Sequence, residues 1–155
     1  MRALIGLAVL VGVSACGGME DRRAAAAAPP AEAEQPVEYC GGDMPVGTMD
    51  AYFARLARHL STSSEPVPLS FYDDHIGILE DGREVWFRTA DMGPQARRLP
   101  SLEDWREISR RGAKSVHGAG YRGCFLSSGK AAFQAGFDGE FGLSSFDKDR
   151  PWTAD

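Results

Sequence analysis

An excess of positive charge is lacking in this chain, and this argues against one large class of partner. Its 155 residues include 17 Lys and Arg against 22 Asp and Glu, a formal net charge of −5 at pH 7. Nucleic-acid binding needs a concentrated positive surface that neutralises phosphates. We therefore expect no nucleic-acid partner and no electrostatic attraction to an anionic membrane surface.

Long apolar runs are also lacking, except at the N-terminus. Residues 3–13 are apolar throughout, follow Met1-Arg2 and precede Ser14-Ala15. A helix needs about 20 such residues to cross a bilayer, so we expect no permanent transmembrane anchor here. A short positive end, an apolar stretch and then small residues are typical of an export signal that is cleaved off.

The segment Val13-Ser14-Ala15-Cys16 resembles the bacterial lipobox, in which the residue after the cut is a cysteine that becomes diacylated. The resemblance implies that residues 1–15 are a lipoprotein signal peptide and that the lipid on Cys16 anchors the chain to a membrane. Because Gly17 follows instead of Asp, the usual sorting rule implies the outer membrane, with the protein facing the periplasm. An ordinary secretory signal with an unrelated cysteine is the alternative.

Large apolar residues are nearly absent from the next segment. Residues 17–36 contain only Met19 of this type, and Pro29, Pro30 and Pro36 stiffen the chain locally. Such a sequence cannot bury enough surface to offset the entropy of ordering. We interpret residues 16–36 as the lipidated cysteine and a disordered Ala/Pro/Glu tether, and residues 37–155 as a single domain.

Cysteine is rare, and its few positions are informative. Of three cysteines, Cys16 is assigned to the lipid, which leaves Cys40 and Cys124. An even pair in an exported domain is most simply a disulfide. The alternative is that Cys124, in a Gly-rich stretch, is a nucleophile with a lowered pKa and a base such as His117.

Two segments have apolar residues at helical spacing. Residues 48–60 begin with Thr48, which suits an N-cap. Residues 101–111 begin with a capping box of Ser101 and Asp104. The second segment also carries acids and arginines at salt-bridge spacing, which we interpret as a solvated face rather than a ligand site; these are Glu103, Arg106, Glu107, Arg110 and Arg111.

Between and after the helices, alternation and turn signals predict strands. Residues 80–83 are a hairpin turn, and residues 127–129 and 138–139 separate later strands. The expected fold is α+β, a curved antiparallel sheet of about five strands packed on two helices in one domain. The predicted strand segments are residues 67–72, 75–79, 84–88, 121–126, 130–137 and 140–146.

The pattern PLSFY at 68–72, EDW at 103–105 and GYRGCFLSSGKAAFQA at 120–135 resembles small periplasmic proteins of bacteria. Their fold is similar to the cystatin/NTF2-like class, in which a curved sheet wraps helices. The resemblance covers roughly residues 66–152 and implies no particular activity. The chain departs from it by Cys124 and by a long connection at 92–100.

Asp73-Asp74-His75 is the one place in the sequence where carboxylates and an imidazole adjoin. The NTF2-like resemblance implies that Asp73 or Asp74 could serve with His75 in proton transfer at a cavity mouth. The alternative, which we favour, is ordinary turn chemistry between two strands.

Metal ligands are not grouped in the sequence. His59, His75 and His117 fall in separate elements without the spacing of a ligand set. Asp147 and Asp149 flank Lys148, which would compete with a cation. We therefore predict no metal site and no cofactor.

We favour a non-enzymatic role, in which a membrane-anchored envelope lipoprotein binds a protein, an envelope component or a small ligand on its sheet. One alternative is an NTF2-like enzyme that uses Asp73 or Asp74 with His75. Another is an inhibitor or immunity-type lipoprotein that acts on an envelope hydrolase. Trp152 is expected to cover an edge of the core.

Overall fold

The computed structural model describes residues 37–136 and 140–153. The predicted signal peptide, Cys16 and the tether lie outside the described residues, and so does the predicted turn at 138–139. Neither of the α-helices in the described part of the chain is long and apolar enough to span a bilayer.

Two α-helices occupy the segments in which they were predicted. The first, α1 (Thr48–Thr62), buries Tyr52, Phe53 and Leu56. The predicted N-cap is wrong by one residue, because Gly47 precedes the helix in a left-handed conformation with φ 88°. Its N–H donates a hydrogen bond to Oε1 of Glu38 at 3.0 Å. Glycine adopts this conformation without steric cost, which a threonine would not.

The second helix, α2 (Leu102–Arg111), begins and ends as predicted. Ser101 Oγ accepts a hydrogen bond from the N–H of Asp104 at 3.1 Å, and the Asp104 carboxylate accepts one from the N–H of Ser101 at 2.9 Å. Gly112, with φ 66°, follows the last helical residue. The capping box satisfies N–H groups that would otherwise lack partners at the helix start.

The strands form two sheets. A small antiparallel sheet contains β1 (Val37–Tyr39) and β2 (Asp43–Pro45). The main sheet has the order β4-β3-β8-β7-β6-β5. Its strands are β3 (Tyr72–Glu80), β4 (Arg83–Arg88), β5 (Val116–Gly118), β6 (Cys124–Leu126), β7 (Ala131–Ala135) and β8 (Phe141–Asp147).

The α+β class is confirmed, but the prediction of an antiparallel sheet of about five strands is wrong. The main sheet has six strands and is mixed, because β3 and β8 run parallel. Three-residue strands such as β5 are too short to show a period of two. Alternation also identifies a strand without giving the direction of its partner. In the predicted strand 67–72, a 3₁₀ turn (Leu69–Phe71) precedes the strand, which starts at Tyr72.

The predicted hairpin turn between β3 and β4 is confirmed. Asp81 and Gly82 both have positive φ, 54° and 68°, as a two-residue hairpin turn requires. Their N–H groups donate to the carboxylate of Asp149 at 2.9 and 2.7 Å. These bonds hold the pKa of Asp149 below its ordinary value and fasten the C-terminal segment to the hairpin.

The core is built around an aromatic cluster that joins the helices to the sheet. Tyr52 of α1 makes edge-to-face contacts with Phe133 and Phe141, at centroid distances of 5.8 and 5.0 Å. From α2, Trp105 donates through Nε1 to the hydroxyl of Tyr72 at 3.2 Å. Both helices therefore pack into the same core, and burial raises the pKa of Tyr72 to about 12.

The predicted disulfide is confirmed between Cys40 and Cys124, with the two Cα atoms 5.2 Å apart. Both residues are fully buried. The bond attaches the β1–β2 sheet to β6 across 84 residues of chain. A disulfide-bonded Cys124 has no thiol to act as a nucleophile, so the alternative reading of this residue is wrong.

The predicted salt bridges on the charged face of α2 are present at Glu107, Arg110 and Arg111. The prediction that this face is solvated is wrong at Arg111, which is 2% exposed. Its guanidinium carbon lies 5.1 Å from the ring centroid of Trp152, and its Nε donates to Glu107 at 2.9 Å. Trp152 is partly buried against the core, as expected, and donates to Asp104 at 3.1 Å. The C-terminal segment thus covers the end of α2, a long-range contact that spacing within the helix cannot reveal.

Low pH should destabilise the C-terminal end of α2 through one carboxylate, that of Glu107. Hydrogen bonds from Arg110 and then Arg111 lower the pKa of Glu107 from 4.5 to about 2. A carboxyl group whose pKa is depressed by folding stabilises the protein above its unfolded pKa, and this contribution is lost as the pH falls from 4.5 towards 2. In urea titrations across this range, Glu107→Gln should remove part of the acid-induced loss of stability, whereas exposed Glu103→Gln should behave like the unaltered protein. Equal pH dependence in the two variants would contradict the assignment.

Candidate functional site

The pairing of β3 with β8 is interrupted at the start of β3. Tyr72 pairs with Leu143, and the next pair is Gly77 with Ser145. Strand β3 therefore advances by more residues than β8 between these two points, and its extra residues form a bulge. We call residues 73–76 the β3 bulge. Bulges redirect side chains and are common next to functional sites.

The β3 bulge is held from the β4 side, whereas its pairing with β8 is interrupted. His75 already pairs with Arg88 of β4. Buried Thr89, which follows β4, donates through its hydroxyl to the carbonyl oxygen of Asp73. The Asp73 carboxylate accepts a hydrogen bond from the N–H of Asp74 at 2.8 Å. The bulge is therefore a fixed part of the fold, and it exposes Asp74 and His75.

A cleft of about 650 Å³ opens at the β3 bulge. It brings together the three sequence-predicted candidates Asp73, Asp74 and His75. In a regular strand adjacent residues point to opposite faces, so their sharing of one cleft is a consequence of the bulge. Other residues from five separate parts of the chain complete the lining, including Asp43, Ser70, Trp86, Gln134, Glu140 and Ser144.

Trp86 forms an aromatic wall of the cleft. It is 57% exposed and lies across the strand pair from Gly77. A Cβ atom at Gly77 would lie 2.8 to 3.0 Å from three atoms of the indole ring. The ring therefore covers the glycine backbone, in the way that an aromatic side chain covers a glycine on a neighbouring strand. Alternation along β4 puts Trp86 on the opposite face from Val85 and Phe87, and this pattern alone does not indicate a binding role.

Gly142 sets the spacing at the base of the cleft. A Cβ atom there would lie 2.5 Å from the amide nitrogen of Asp73 and 2.6 Å from the carbonyl carbon of Tyr72. These are backbone atoms that cannot move aside easily. Only glycine lets β8 approach β3 this closely at the point where the bulge begins.

The cleft is acidic. Asp43, Asp73, Asp74 and Glu140 are among its lining residues, and no Lys or Arg lines it among the residues that the structure describes. Within residues 37–136 and 140–153, no three His, Cys, Asp or Glu side chains are grouped to hold a metal ion.

The other sequence candidates lie elsewhere. His59 is on α1, with its ring 6.2 Å from that of Phe71. His117 is on β5, where Nε2 lies 2.9 Å from Oγ of Ser127. Asp147 accepts hydrogen bonds from the backbone N–H of Asp149 and Arg150, while Asp149 binds the β3–β4 turn. Of the three histidines, the cleft therefore contains His75 alone.

The close approach at Gly142 leads to a stability prediction. Gly142→Ala should destabilise the protein by about 1–3 kcal/mol, because the added methyl group meets backbone that must shift. Gly93→Ala is the matched control, since nothing lies within 4 Å of its Cβ position, and it should change stability by less than about 0.5 kcal/mol. Chemical denaturation measures both. A Gly142→Ala protein as stable as Gly93→Ala would refute the close packing of β8 on β3.

Comparison with protein-family models, with curated proteins and with solved structures finds no match for this chain. The case for a function therefore depends on the chemistry of the cleft and on the N-terminal sequence.

Proposed function

We propose that this protein is a membrane-anchored envelope lipoprotein that binds its ligand in the cleft at the β3 bulge. The observation that carries the proposal is the cleft itself. Its volume of about 650 Å³ lies within the range of about 300–1,000 Å³ that is usual for small-molecule sites. It combines an exposed aromatic ring with several polar side chains, which is the composition of sites that orient a ligand.

The proposed cellular location rests on the N-terminal sequence. Residues 1–15 direct export, Cys16 receives the lipid, and residues 16–36 tether the domain to the outer membrane on its periplasmic side. The Cys40–Cys124 disulfide supports export, because structural disulfides persist in oxidising compartments and are rare in the cytosol.

We also propose a distant fold relationship to the cystatin/NTF2-like class. One large sheet with two helices in a common core supports it. The parallel pairing of β3 with β8 is a departure from the antiparallel sheet expected for this class.

An NTF2-like enzyme is the second candidate, and one observation favours it. Asp73, Asp74 and His75 line the same cleft, so a carboxylate and an imidazole could both reach one bound molecule. The fate of the ligand separates the two functions. A binding protein returns its ligand unchanged after long incubation, whereas an enzyme converts it and loses this conversion in His75→Ala.

Lipidation should depend wholly on Cys16. When the full chain is expressed in a bacterium supplied with labelled palmitate, the protein should incorporate label, lose residues 1–15 and sediment with membranes. Cys16→Ser should do none of these, because the acceptor thiol is absent. A Cys40→Ala, Cys124→Ala double variant should still be labelled. Label on Cys16→Ser, or an intact leader on the unaltered protein in mass spectra, would contradict the anchor.

Ligand retention should depend on the cleft. The full chain in uncharged detergent is incubated with the small-molecule fraction of envelope extract, separated by size exclusion and analysed by mass spectrometry. Ser70 is exposed and lines the cleft, so Ser70→Trp should obstruct the cleft and abolish retention. Ser64→Trp is the matched control on an exposed site outside the cleft, and it should retain the ligand. The binding function would be overturned if Ser70→Trp still retained the ligand, or if the unaltered protein retained no ligand.

A further inference from the structure

We propose that the small β1–β2 sheet lies with its outer face on the bilayer to which Cys16 is anchored. The outer face comprises exposed apolar residues of this sheet and of the turn that follows it, namely Val37, Tyr39, Pro45 and Val46. The inference rests on the proposed lipid anchor and adds an orientation of the domain on the membrane. It is carried by the apolar character of the face, by its place next to the proposed tether and by its small area.

The register of the small sheet separates an inner side from an outer side. Val37 pairs with Pro45, and Glu38 pairs with Met44. Directly paired residues project to the same side of a sheet, and neighbours along a strand project to opposite sides. Met44 is buried in the core, and Glu38 on the same side accepts the hydrogen bond from Gly47. The residues of the outer face are therefore turned away from the core.

The outer face is both apolar and exposed. Val37, Tyr39 and Val46 are each more than half exposed, and Pro45 is exposed as well. Large apolar side chains that are exposed together mark contacts with a protein or a membrane, and tyrosine is enriched where lipid meets water. Asp43, opposite Tyr39, is charged and stays hydrated at the depth of the headgroups. The composition of the face therefore suits the interfacial layer of a bilayer.

A second exposed tyrosine lies in the same region. Residues 119–123 connect β5 to β6, and Tyr121 among them is 80% exposed. Both ends of this connection approach Tyr39. Sγ of Cys124 lies 3.8 Å from the carbonyl oxygen of Tyr39, and a Cβ atom at Gly118 would lie 4.0 Å from the same oxygen. The loop that carries Tyr121 therefore begins and ends beside the outer face.

The position of the outer face in the chain selects the bilayer as its partner. Val37 is the first residue of β1, and residues 17–36 separate it from Cys16. A flexible chain of this length spans about 25 Å on average, so the proposed lipid anchor keeps β1 close to the membrane. Such attachment raises the effective concentration of the face at the bilayer to about the millimolar range. An apolar contact too weak to recruit a free protein is then sufficient to orient a tethered one.

The small area of the outer face argues against a second copy of the chain as its partner. A stable interface buries about 800 Å² on each side and involves about 20–30 residues a side. The sheet has two strands of three residues each, and Glu38 and Met44 point inwards. A contact with lipid needs no such area, because the lipid on Cys16 supplies the anchoring.

Quenching by brominated lipid tests the contact. The full chain, processed and lipidated in a bacterium, is reconstituted in phosphatidylcholine vesicles whose acyl chains carry bromine or none, and the vesicles are isolated by flotation. Tyr39→Trp should lose more fluorescence in brominated vesicles than the unaltered protein does, because bromine quenches only indole rings close to it. Ser64→Trp is the matched control and should be quenched no more than the unaltered protein. Ser64 is exposed and lies beyond the end of α1, a helix about 22 Å long that begins just after Val46.

A charge placed on the outer face should break the contact. In the Tyr39→Trp protein, Val37→Glu should remove most of the quenching, because a carboxylate is costly to bury among acyl chains. Leu69→Glu is the matched control, since Leu69 is exposed to a similar extent but follows α1, outside the small sheet. It should leave the quenching unchanged. Equal loss of quenching in the two variants would refute the assignment of the face.

Failure of the contact is distinguishable from failure of the anchor. If the protein floats with the vesicles but Tyr39→Trp is quenched no more than Ser64→Trp, the lipid anchor stands and this inference is wrong. A protein that does not float overturns the anchor and this inference with it. If the unaltered chain is a dimer in uncharged detergent and Val37→Glu dissociates it, the outer face binds a second copy instead of the bilayer, and the inference is wrong as well.

Discussion

The parallel contact between β3 and β8 is the constraint on which the rest of the structure depends. It joins the β3–β4 hairpin to the strands β5–β8 and so makes one sheet of the two halves of the domain. The contact is tightest where Gly142 lies against the backbone of Tyr72 and Asp73. Immediately beyond that point the register shifts, and the surplus residues of β3 form the bulge. The cleft is thus a direct consequence of how β3 and β8 join the two halves of the sheet.

The core fixes the position of the bulge from both ends. Tyr72 precedes it and is anchored by Trp105 of α2, while fully buried Ile76 ends it. Thr89 holds the carbonyl group of Asp73 from the β4 side. Asp74 and His75 between the anchors are exposed, yet the strand that carries them is bound to parts of the protein that are costly to move. Such an arrangement gives a pre-formed cleft, which would lower the ordering cost of the binding that we propose.

Sequence patterns predicted the features that depend on neighbours along the chain. Several turns of periodic apolar residues defined α1 and α2, and the Ser101–Asp104 capping box and the Asp81–Gly82 turn have short signatures that the structure confirms. Pairing direction, the short strand β5 and the burial of Arg111 depend on distant segments, and no local pattern encodes them. The disulfide could be predicted because the assignment of Cys16 to a predicted lipobox left two cysteines, which can pair in one way only.

The candidate site also combines features that the sequence predicts with features that it does not. Asp73-Asp74-His75 attracts attention in the sequence as a cluster of ionisable residues. The turn between two strands that we favour for it there is wrong, because all three residues lie within β3 (Tyr72–Glu80). The sequence could not show that a shift in register turns the cluster towards one cleft, or that Trp86 and Asp43 reach it from other elements. Strict alternation cannot predict a cleft that a bulge forms, because the bulge is where alternation fails.

Several carboxylates outside the cleft at the β3 bulge form ion pairs. Outside it, Glu80 binds Arg98 and Lys148, and Glu107 binds Arg110 and Arg111. Those acids are balanced by cations on the same surface, and their effects are local. At the β3 bulge the lining supplies carboxylates and an aromatic ring without a Lys or Arg of its own, as far as the described residues extend. Ion pairs therefore stabilise the surfaces around Glu80 and Glu107, whereas the region of the β3 bulge is shaped by backbone contacts and by the shift in register.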